Sequence, residues 1–217
     1  KSKGIGYIKF HILFLALLIF ASCSTGRPFA SVKINAPKDD SYFQFIKADI
    51  MALQGETQKS TSELKKLIEK YPNIAFFHLL LAENYVREKH FSEALSSCKD
   101  AVKISPEFTE AKICIGKIYA IENKHAEAAE TFSEIVRDDP KEEETYSMLA
   151  NEYVFIKDYD RAIATLRNLL DVNPDSVVAY YFLGKIYEEN LQNFPKAIAM
   201  YNEAVSIDSG SINVHEA

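Results

Sequence analysis

Apolar residues recur at intervals of three and four along most of this chain, in blocks that short polar turns separate. Two such blocks run from Phe77 to Val86 and from Phe91 to Ile104. This spacing is typical of amphipathic α-helices that bury one face. The turn between the two blocks leaves room only for an antiparallel hairpin. The pattern therefore predicts pairs of antiparallel helices and an all-α fold.

The helix pairs repeat with a period of 34 residues from Ser41 onward. A column of small residues lies early in each unit and contains Ala48, Ala82, Gly116, Ala150 and Gly184. Three residues later comes a mostly aromatic column with Met51, Tyr85, Tyr119, Tyr153 and Tyr187. A second column of small residues contains Ser60, Ala94, Ala128, Ala162 and Ala197. Four residues after it stand the mostly large apolar residues Leu64, Cys98, Phe132, Leu166 and Tyr201. Proline closes four of the units, at Pro72, Pro106, Pro140 and Pro174.

These columns indicate how the two helices of a unit pack. Small residues allow two helix backbones to approach closely, and a large side chain of one helix fills the space beside the small residue of the other. A proline after the second helix ends that helix, because the residue before a proline disfavours the α conformation. Each unit is therefore expected to stack on its neighbours in a solenoid.

The units resemble tetratricopeptide repeats, which combine small, aromatic, alanine, large apolar and proline positions at this period. The resemblance covers about four fifths of the chain. It implies a right-handed α-solenoid of about five repeats over residues 41–211. The units are 41–74, 75–108, 109–142, 143–176 and 177–211.

The first and last units depart from the pattern. Ser60 replaces the usual alanine and Met51 the usual tyrosine, as is expected where one face of a terminal repeat meets solvent. The last unit carries one extra residue within 190–194 and has Ser209 in place of proline. Residues 212–217 fall where a sixth unit would begin. We expect them to start a truncated further repeat and the chain to be a fragment of a longer protein.

The amino-terminal segment has the pattern of an export signal. Three lysines precede an almost wholly apolar run from Phe10 to Ala21. Such a run is too short to cross a bilayer as a mature helix, which needs about 20 residues. The alternative is a buried helix of a cytosolic domain, but the run lacks the polar face of a globular helix.

Residues Phe20 to Cys23 resemble the lipobox of bacterial lipoproteins, although that family usually has leucine where Phe20 stands. The resemblance implies a signal peptide over 1–22, cleavage before Cys23 and a covalent lipid on Cys23. Ser24 resembles the version that is sent to the outer membrane, facing the periplasm; retention at the cytoplasmic membrane is the alternative. An ordinary secretory peptide with a chance cysteine is a further alternative.

Residues 23–40 mix Ser, Gly, Pro, Asn and Asp without any helical or alternating period. We expect this segment to be the flexible linker between a lipid anchor and the repeats. A partly ordered loop that lies on the first helices is the other interpretation.

Composition narrows the classes of partner. Nearly half of the residues, 47%, are apolar, which is ample for a core, and few glycines or prolines interrupt the helices. The formal net charge is −6, and three of the lysines precede the apolar run, so the repeats are more acidic still. An acidic body repels phosphate backbones, and we expect no nucleic-acid partner.

The sequence offers little for catalysis. The five histidines never have the spacing of metal ligands, and no glycine-rich loop could hold phosphate. Cys98 is interpreted as a core residue and Cys114 lies on the other face of its helix, with no catalytic base close in sequence. The glutamates 142–144 open a helix, where carboxylates stabilise the positive end of the dipole. We expect no catalytic residues, no metal, no cofactor other than the lipid, and no small-molecule substrate.

In tetratricopeptide arrays the first helix of each pair lines a concave groove, so its inward-facing residues are candidates for binding a partner. By register these are Leu79, Leu80, Glu83, Arg87, Ile113, Cys114, Lys117, Ile121, Ser147, Met148, Asn151, Phe155, Tyr181, Phe182, Lys185 and Glu189. The polar members are isolated among apolar ones, so the carboxylate clamp of co-chaperone members is not implied. An apolar groove suits an extended or helical partner segment held by aromatic anchors. The alternative for each residue is packing between neighbouring units.

The sequence therefore predicts a non-enzymatic scaffold, anchored by lipid in the bacterial envelope, that binds a protein or peptide in its groove. Resemblance to lipoproteins of this architecture suggests envelope assembly, pilus biogenesis or secretion. A second hypothesis makes the array the recruitment arm of a larger enzyme whose catalytic domain lies beyond this fragment. A third is a cytosolic adaptor whose start merely resembles a signal.

Overall fold

A computed structural model describes the backbone of residues 41–213 and the side chains of residues 43–208. The predicted signal peptide, lipid-bearing Cys23 and linker lie outside the described residues, as do residues 214–217. The helical array forms one compact unit that begins at Asp39. Its core clusters follow one another along the whole array, so the array can be studied without the preceding residues.

The described chain is entirely helical. Its elements are α1 (Ser41–Leu53), α2 (Thr57–Lys70), α3 (Ala75–Arg87), α4 (Phe91–Ile104), α5 (Thr109–Ile121), α6 (His125–Asp138), α7 (Glu143–Phe155), α8 (Tyr159–Val172), α9 (Val177–Lys185) with a π-helical turn (Ile186–Asn190), and α10 (Phe194–Asn213). Each helix packs mainly on the helices before and after it in the chain. This arrangement confirms the predicted all-α solenoid of helix pairs.

The odd-numbered helices form the inner layer of the array. They contact one another from unit to unit, α1 with α3, α3 with α5, and α7 with α9. Within residues 41–213, the even-numbered helices make no contacts of similar extent with each other. Contacts between neighbouring units are therefore made mainly through the odd-numbered helices, apart from those between helices consecutive in the chain.

The predicted contact between small and large residues sets the spacing of each pair. At Gly116 in α5, an added Cβ would lie less than 3 Å from three ring atoms of Phe132 in α6. Gly184 in α9 stands in the same relation to the ring of Tyr201. Where the small residue is alanine, the opposite residue is smaller: leucine faces Ala48 and Ala150. In these four units the volumes at the two positions thus compensate each other, whereas the second unit pairs Ala82 with Cys98.

A left-handed residue connects the two helices of every unit. The positions, with their φ angles, are Gly55 (81°), Lys89 (61°), Asn123 (59°), Lys157 (61°) and Gln192 (51°). After Lys89, the N–H of His90 donates to the carbonyl of Tyr85 at 2.8 Å, and the equivalent bond recurs in every unit. This hydrogen bond caps the end of the first helix and fixes the hairpin. Only the first unit uses glycine, the residue that adopts this conformation without steric cost.

The irregularities of the last unit have local structural consequences. Its extra residue is absorbed by the π-helical turn Ile186–Asn190, because such a turn accommodates one added residue within a helix. Ser209 stands where earlier units have proline, and α10 continues through it to Asn213. The fold is otherwise maintained, as expected.

A disulfide that the sequence pattern does not predict joins Cys98 in α4 to Cys114 in α5. The two Cα atoms are 6.4 Å apart, and Cys98 is fully buried. Because α4 and α5 belong to different units, the bond fastens the second unit to the third. The sulfur of Cys114, a predicted groove residue, is therefore bonded to the core cysteine Cys98, and its role in the groove stays a prediction.

Replacement of Gly116 by alanine should destabilise the array by about 1–2 kcal/mol, because overpacking against Phe132 outweighs the better helix propensity of alanine. Phe132→Leu should relieve this cost, since the pair then matches Ala48 with Leu64. Urea unfolding of both single variants and the double variant measures the coupling free energy. Strictly additive costs would contradict the packing described here.

Refolding in a reductant should lower the melting temperature by roughly 5–10 °C, because a disulfide that closes a loop of this size stabilises a protein by roughly 3 kcal/mol. Circular dichroism melts with and without tris(2-carboxyethyl)phosphine measure the difference. The Cys114→Ala variant should melt at one temperature in both conditions. Two free thiols per array in the air-oxidised, denatured protein would show that the disulfide does not form.

Candidate partner-binding groove

The groove is the solvent-facing surface of α1, α3, α5, α7 and α9. Seven of the predicted residues are exposed there, namely Arg87, Lys117, Ile121, Asn151, Phe155, Tyr181 and Glu189. Eight are partly buried, namely Leu80, Glu83, Ile113, Cys114, Ser147, Met148, Phe182 and Lys185. Leu79 is only 5% exposed and packs in the core with Ala82 and Cys98, so it does not line the groove. A role of the others in binding stays a prediction.

The half of the groove formed by α5, α7 and α9 carries exposed apolar side chains among its charged and polar ones. Ile121 is 49% exposed, Phe155 is 57% exposed and Tyr181 is 49% exposed, one from each helix. Large apolar side chains on a soluble surface are favourable sites for burial against a partner. These three residues are the candidate anchors.

Phe155 is held in place by a polar pair that the register of the repeats does not identify. The ring of His125 stacks on Phe155 with the centroids 4.4 Å apart and the planes 10° from parallel. The Nδ1 atom of His125 lies 2.7 Å from Oε2 of Glu152, which is buried. The sequence could have indicated this pair, because Glu152 belongs to a column at the 34-residue period in which three of the five residues are isoleucine. A buried carboxylate in such a column requires a partner.

Asn84, the other polar residue of this column, explains why the first unit has Ser60 where the other units have alanine. Asn84 is buried, and its Nδ2 donates to Oγ of Ser60 at 2.8 Å. Ser60 therefore replaces alanine because it accepts a hydrogen bond from the next unit. The solvent exposure expected of a terminal repeat does not account for the serine, since Ser60 is 1% exposed.

The ring of Tyr181 contacts the ring of Tyr201. Its ring centroid lies 6.1 Å from that of Tyr201, whose hydroxyl donates to Oε2 of Glu188 at 2.7 Å. Burial, assisted by this hydrogen bond, raises the pKa of Tyr201 to about 12. The hydroxyl thus stays protonated at physiological pH and keeps donating.

The half formed by α1 and α3 is charged. Burial raises the pKa of both Asp49 and Glu83, an effect that the nearby Arg87 guanidinium partly offsets. Glu83 and Arg87 lie 4.0 Å apart, and Arg87 also donates to Oδ1 of Asn84 at 2.9 Å. The carboxylates are thus less well solvated than ordinary surface carboxylates.

The lysines of the groove lie farther along the array. Lys117 in α5 is 3.9 Å from Glu144, and Lys185 in α9 is 3.7 Å from Glu189. With Asp49, Glu83 and Asn151 they form one column at the 34-residue period. Its charge changes from negative at α1 and α3 to positive at α5 and α9.

No three or more His, Cys, Asp or Glu side chains among the described residues are arranged to hold a metal ion. No helix within 41–213 combines the length and apolar character needed to cross a membrane.

Family models of the tetratricopeptide repeat match residues 42–73, 79–143 and 147–212. A search of the curated proteins gives no significant match.

Similar solved structures share the fold at low sequence identity. A crystal structure of MamA is 19% identical, covers 76% of this chain and 96% of its own, and superimposes with a TM-score of 0.64. MamA from Desulfovibrio magneticus RS-1 is 13% identical over 79% of this chain and 97% of its own, with a TM-score of 0.66. YrrB, described as a TPR protein with an unusual peptide-binding site, is 17% identical over 77% of this chain and 86% of its own, with a TM-score of 0.59.

Proposed function

We propose a scaffold function for this chain, which belongs to the tetratricopeptide repeat family: it is a non-enzymatic protein that holds a segment of a partner protein in its groove. The observation that carries the proposal is the set of exposed apolar side chains, Ile121, Phe155 and Tyr181, on the first helices of three successive units. The ring of His125, held by the buried Glu152, stacks on Phe155, so little side-chain entropy is lost when a partner covers Phe155. YrrB, which has a similar fold, carries a peptide-binding site by its own description.

The partner is proposed to be protein because the groove is long and shallow. A surface lined by successive helices can bind an extended or helical segment at several anchor points. The acidic composition is unsuited to nucleic acid. Neither a cofactor nor a small-molecule substrate is part of this proposal.

The proposed location is the bacterial envelope, with the array attached to the outer membrane through lipid on Cys23 and facing the periplasm. The apolar run and the residues around Cys23 support export and lipidation. The disulfide between Cys98 and Cys114 supports it independently, because such bonds persist in oxidising compartments and are rare in the cytosol. Attachment to the cytoplasmic membrane is the alternative location.

Envelope assembly, pilus biogenesis and secretion are the processes in which we expect such a scaffold to act. The alternative function, a recruitment arm of a larger enzyme, uses the same groove. The two differ in the length of the full gene, because several hundred further residues of different composition would favour the enzyme.

The double variant Phe155→Ala/Tyr181→Ala should lose capture of the partner from envelope extract without losing stability, because both side chains are about half exposed. Capture is measured by affinity purification with the array as bait, and stability by thermal unfolding. The control Val172→Ala/Val205→Ala removes exposed apolar side chains from even-numbered helices and should retain capture. Equal capture by all three proteins would refute the groove as the binding site.

Cells that express the full chain should incorporate radioactive fatty acid into the protein, and Cys23→Ala should abolish this incorporation. A single acyl chain gives only marginal membrane binding, so stable attachment requires more than one. The Cys23→Ala protein should therefore leave the membrane fraction or remain as an uncleaved precursor. Equal labelling of both proteins would remove the lipoprotein assignment.

A further inference from the structure

The charged half of the groove contains more negative than positive charge on one small surface. Asp49 on α1 and Glu83 on α3 are close enough to raise the pKa of Glu83, and Arg87 is the cation beside them. Arg87 lies 4.0 Å from Glu83 and donates to Asn84. Among the described residues, Asp49 forms no ion pair or side-chain hydrogen bond. One partly buried carboxylate thus lacks a direct cationic partner.

Such a carboxylate costs free energy in the free protein. Burial removes water from the ionised group, and the nearest cation compensates only in part. A cationic side chain that arrives with a partner would replace the lost hydration and pair with the carboxylate. Charge-assisted hydrogen bonds of this kind are stronger than neutral ones.

The apolar half of the groove continues from this charged half. The positive charge of Lys117 in α5 is close enough to Glu83 in α3 to lower the pKa of Glu83, against the larger effect of burial. Ile121 lies one helical turn beyond Lys117. A segment that covers Ile121, Phe155 and Tyr181 would therefore extend toward Asp49 and Glu83 if it follows the odd-numbered helices.

We propose that the groove selects partner segments in which lysine or arginine adjoins an apolar stretch, with the cationic side chain bound between Asp49 and Glu83 and the apolar stretch on α5, α7 and α9. This inference rests on the proposed scaffold function and names the chemistry of its partner. The charge change along the groove also sets the direction in which the segment lies, since its cationic end avoids Lys117 and Lys185.

Three fluorescein-labelled probe peptides test the proposal with the array of residues 39–217. They share one central apolar stretch with phenylalanine and tyrosine, and each carries a run of lysine, glutamine or glutamate at one end only. Each probe is made in two versions, with the run at the amino or at the carboxyl end, so that either direction of binding is available. Fluorescence anisotropy measures the affinity of each. The lysine probe should bind roughly tenfold tighter than the glutamine probe, and the glutamate probe more weakly than either. This preference should shrink as salt rises from about 0.05 to 0.5 M.

The variant Asp49→Asn/Glu83→Gln should bind the lysine probe only as tightly as the glutamine probe. The control Glu130→Gln/Glu134→Gln changes the net charge equally at exposed positions of α6 and should keep the preference. Because burial raises the pKa of both groove carboxyls, their ionised forms disfavour folding at neutral pH. The groove variant should therefore melt at the same temperature as the parent or higher.

The proposal is overturned if the lysine probe fails to bind more tightly than the glutamine probe, or if the α6 control loses the preference as well. A fall in melting temperature with the groove variant would assign the carboxylates to stability instead. A different result would refute the scaffold function. If all probes bind equally but their binding depends on Phe155 and Tyr181, the scaffold function holds without selection by charge. If capture of the partner is unchanged when both aromatic residues are replaced, the scaffold function itself is refuted.

Discussion

The close contact between a small residue on the first helix of each unit and a larger residue on the second determines the geometry of the whole array. Gly116 against Phe132, and Gly184 against Tyr201, leave no room for even one methyl group on the glycine. Leucine suffices where the small residue is alanine. In these units the volumes compensate, so both helices of a pair can pack closely. The odd-numbered helices contact one another among the first three units and between the last two. The groove residues lie on these helices at positions that recur with the 34-residue period.

Departures from the repeat pattern mark the places where the array has acquired additional features. Glu152 breaks a mostly isoleucine column, and with His125 it fixes the ring of Phe155 in the groove. Asn84 breaks the same column and bonds to Ser60, linking two units through a buried hydrogen bond. Such polar groups would be costly in isolation, and each is satisfied by a hydrogen-bonding partner. A polar residue in an otherwise apolar column of a repeat protein can therefore indicate an interaction between units.

Much of the fold follows from sequence because its contacts recur at one period. The spacing of apolar residues predicts the helix pairs, and the small column predicts which helices lie close together. Contacts between units are harder to foresee: Cys98 and Cys114 lie on different units, and their pairing depends on how those units are rotated. Leu79, which the register alone places in the groove, is buried in a core cluster that includes residues of the next unit. The left-handed turn residues are also hard to predict from the sequence, since three of the five are lysine or glutamine, which are not typical of that conformation.

The proposed scaffold function requires that a partner lies on the odd-numbered helices. Photocrosslinking in living cells tests it whatever the identity of the partner. The photoreactive residue p-benzoylphenylalanine would replace Ile121 in the groove or Asn168 on α8, both of which are exposed. Binding in the groove should give a crosslinked product of higher mass after irradiation when the photoreactive residue stands at position 121, and none when it stands at position 168. A product from position 168 with none from position 121 would place the partner on the outer helices and contradict the account.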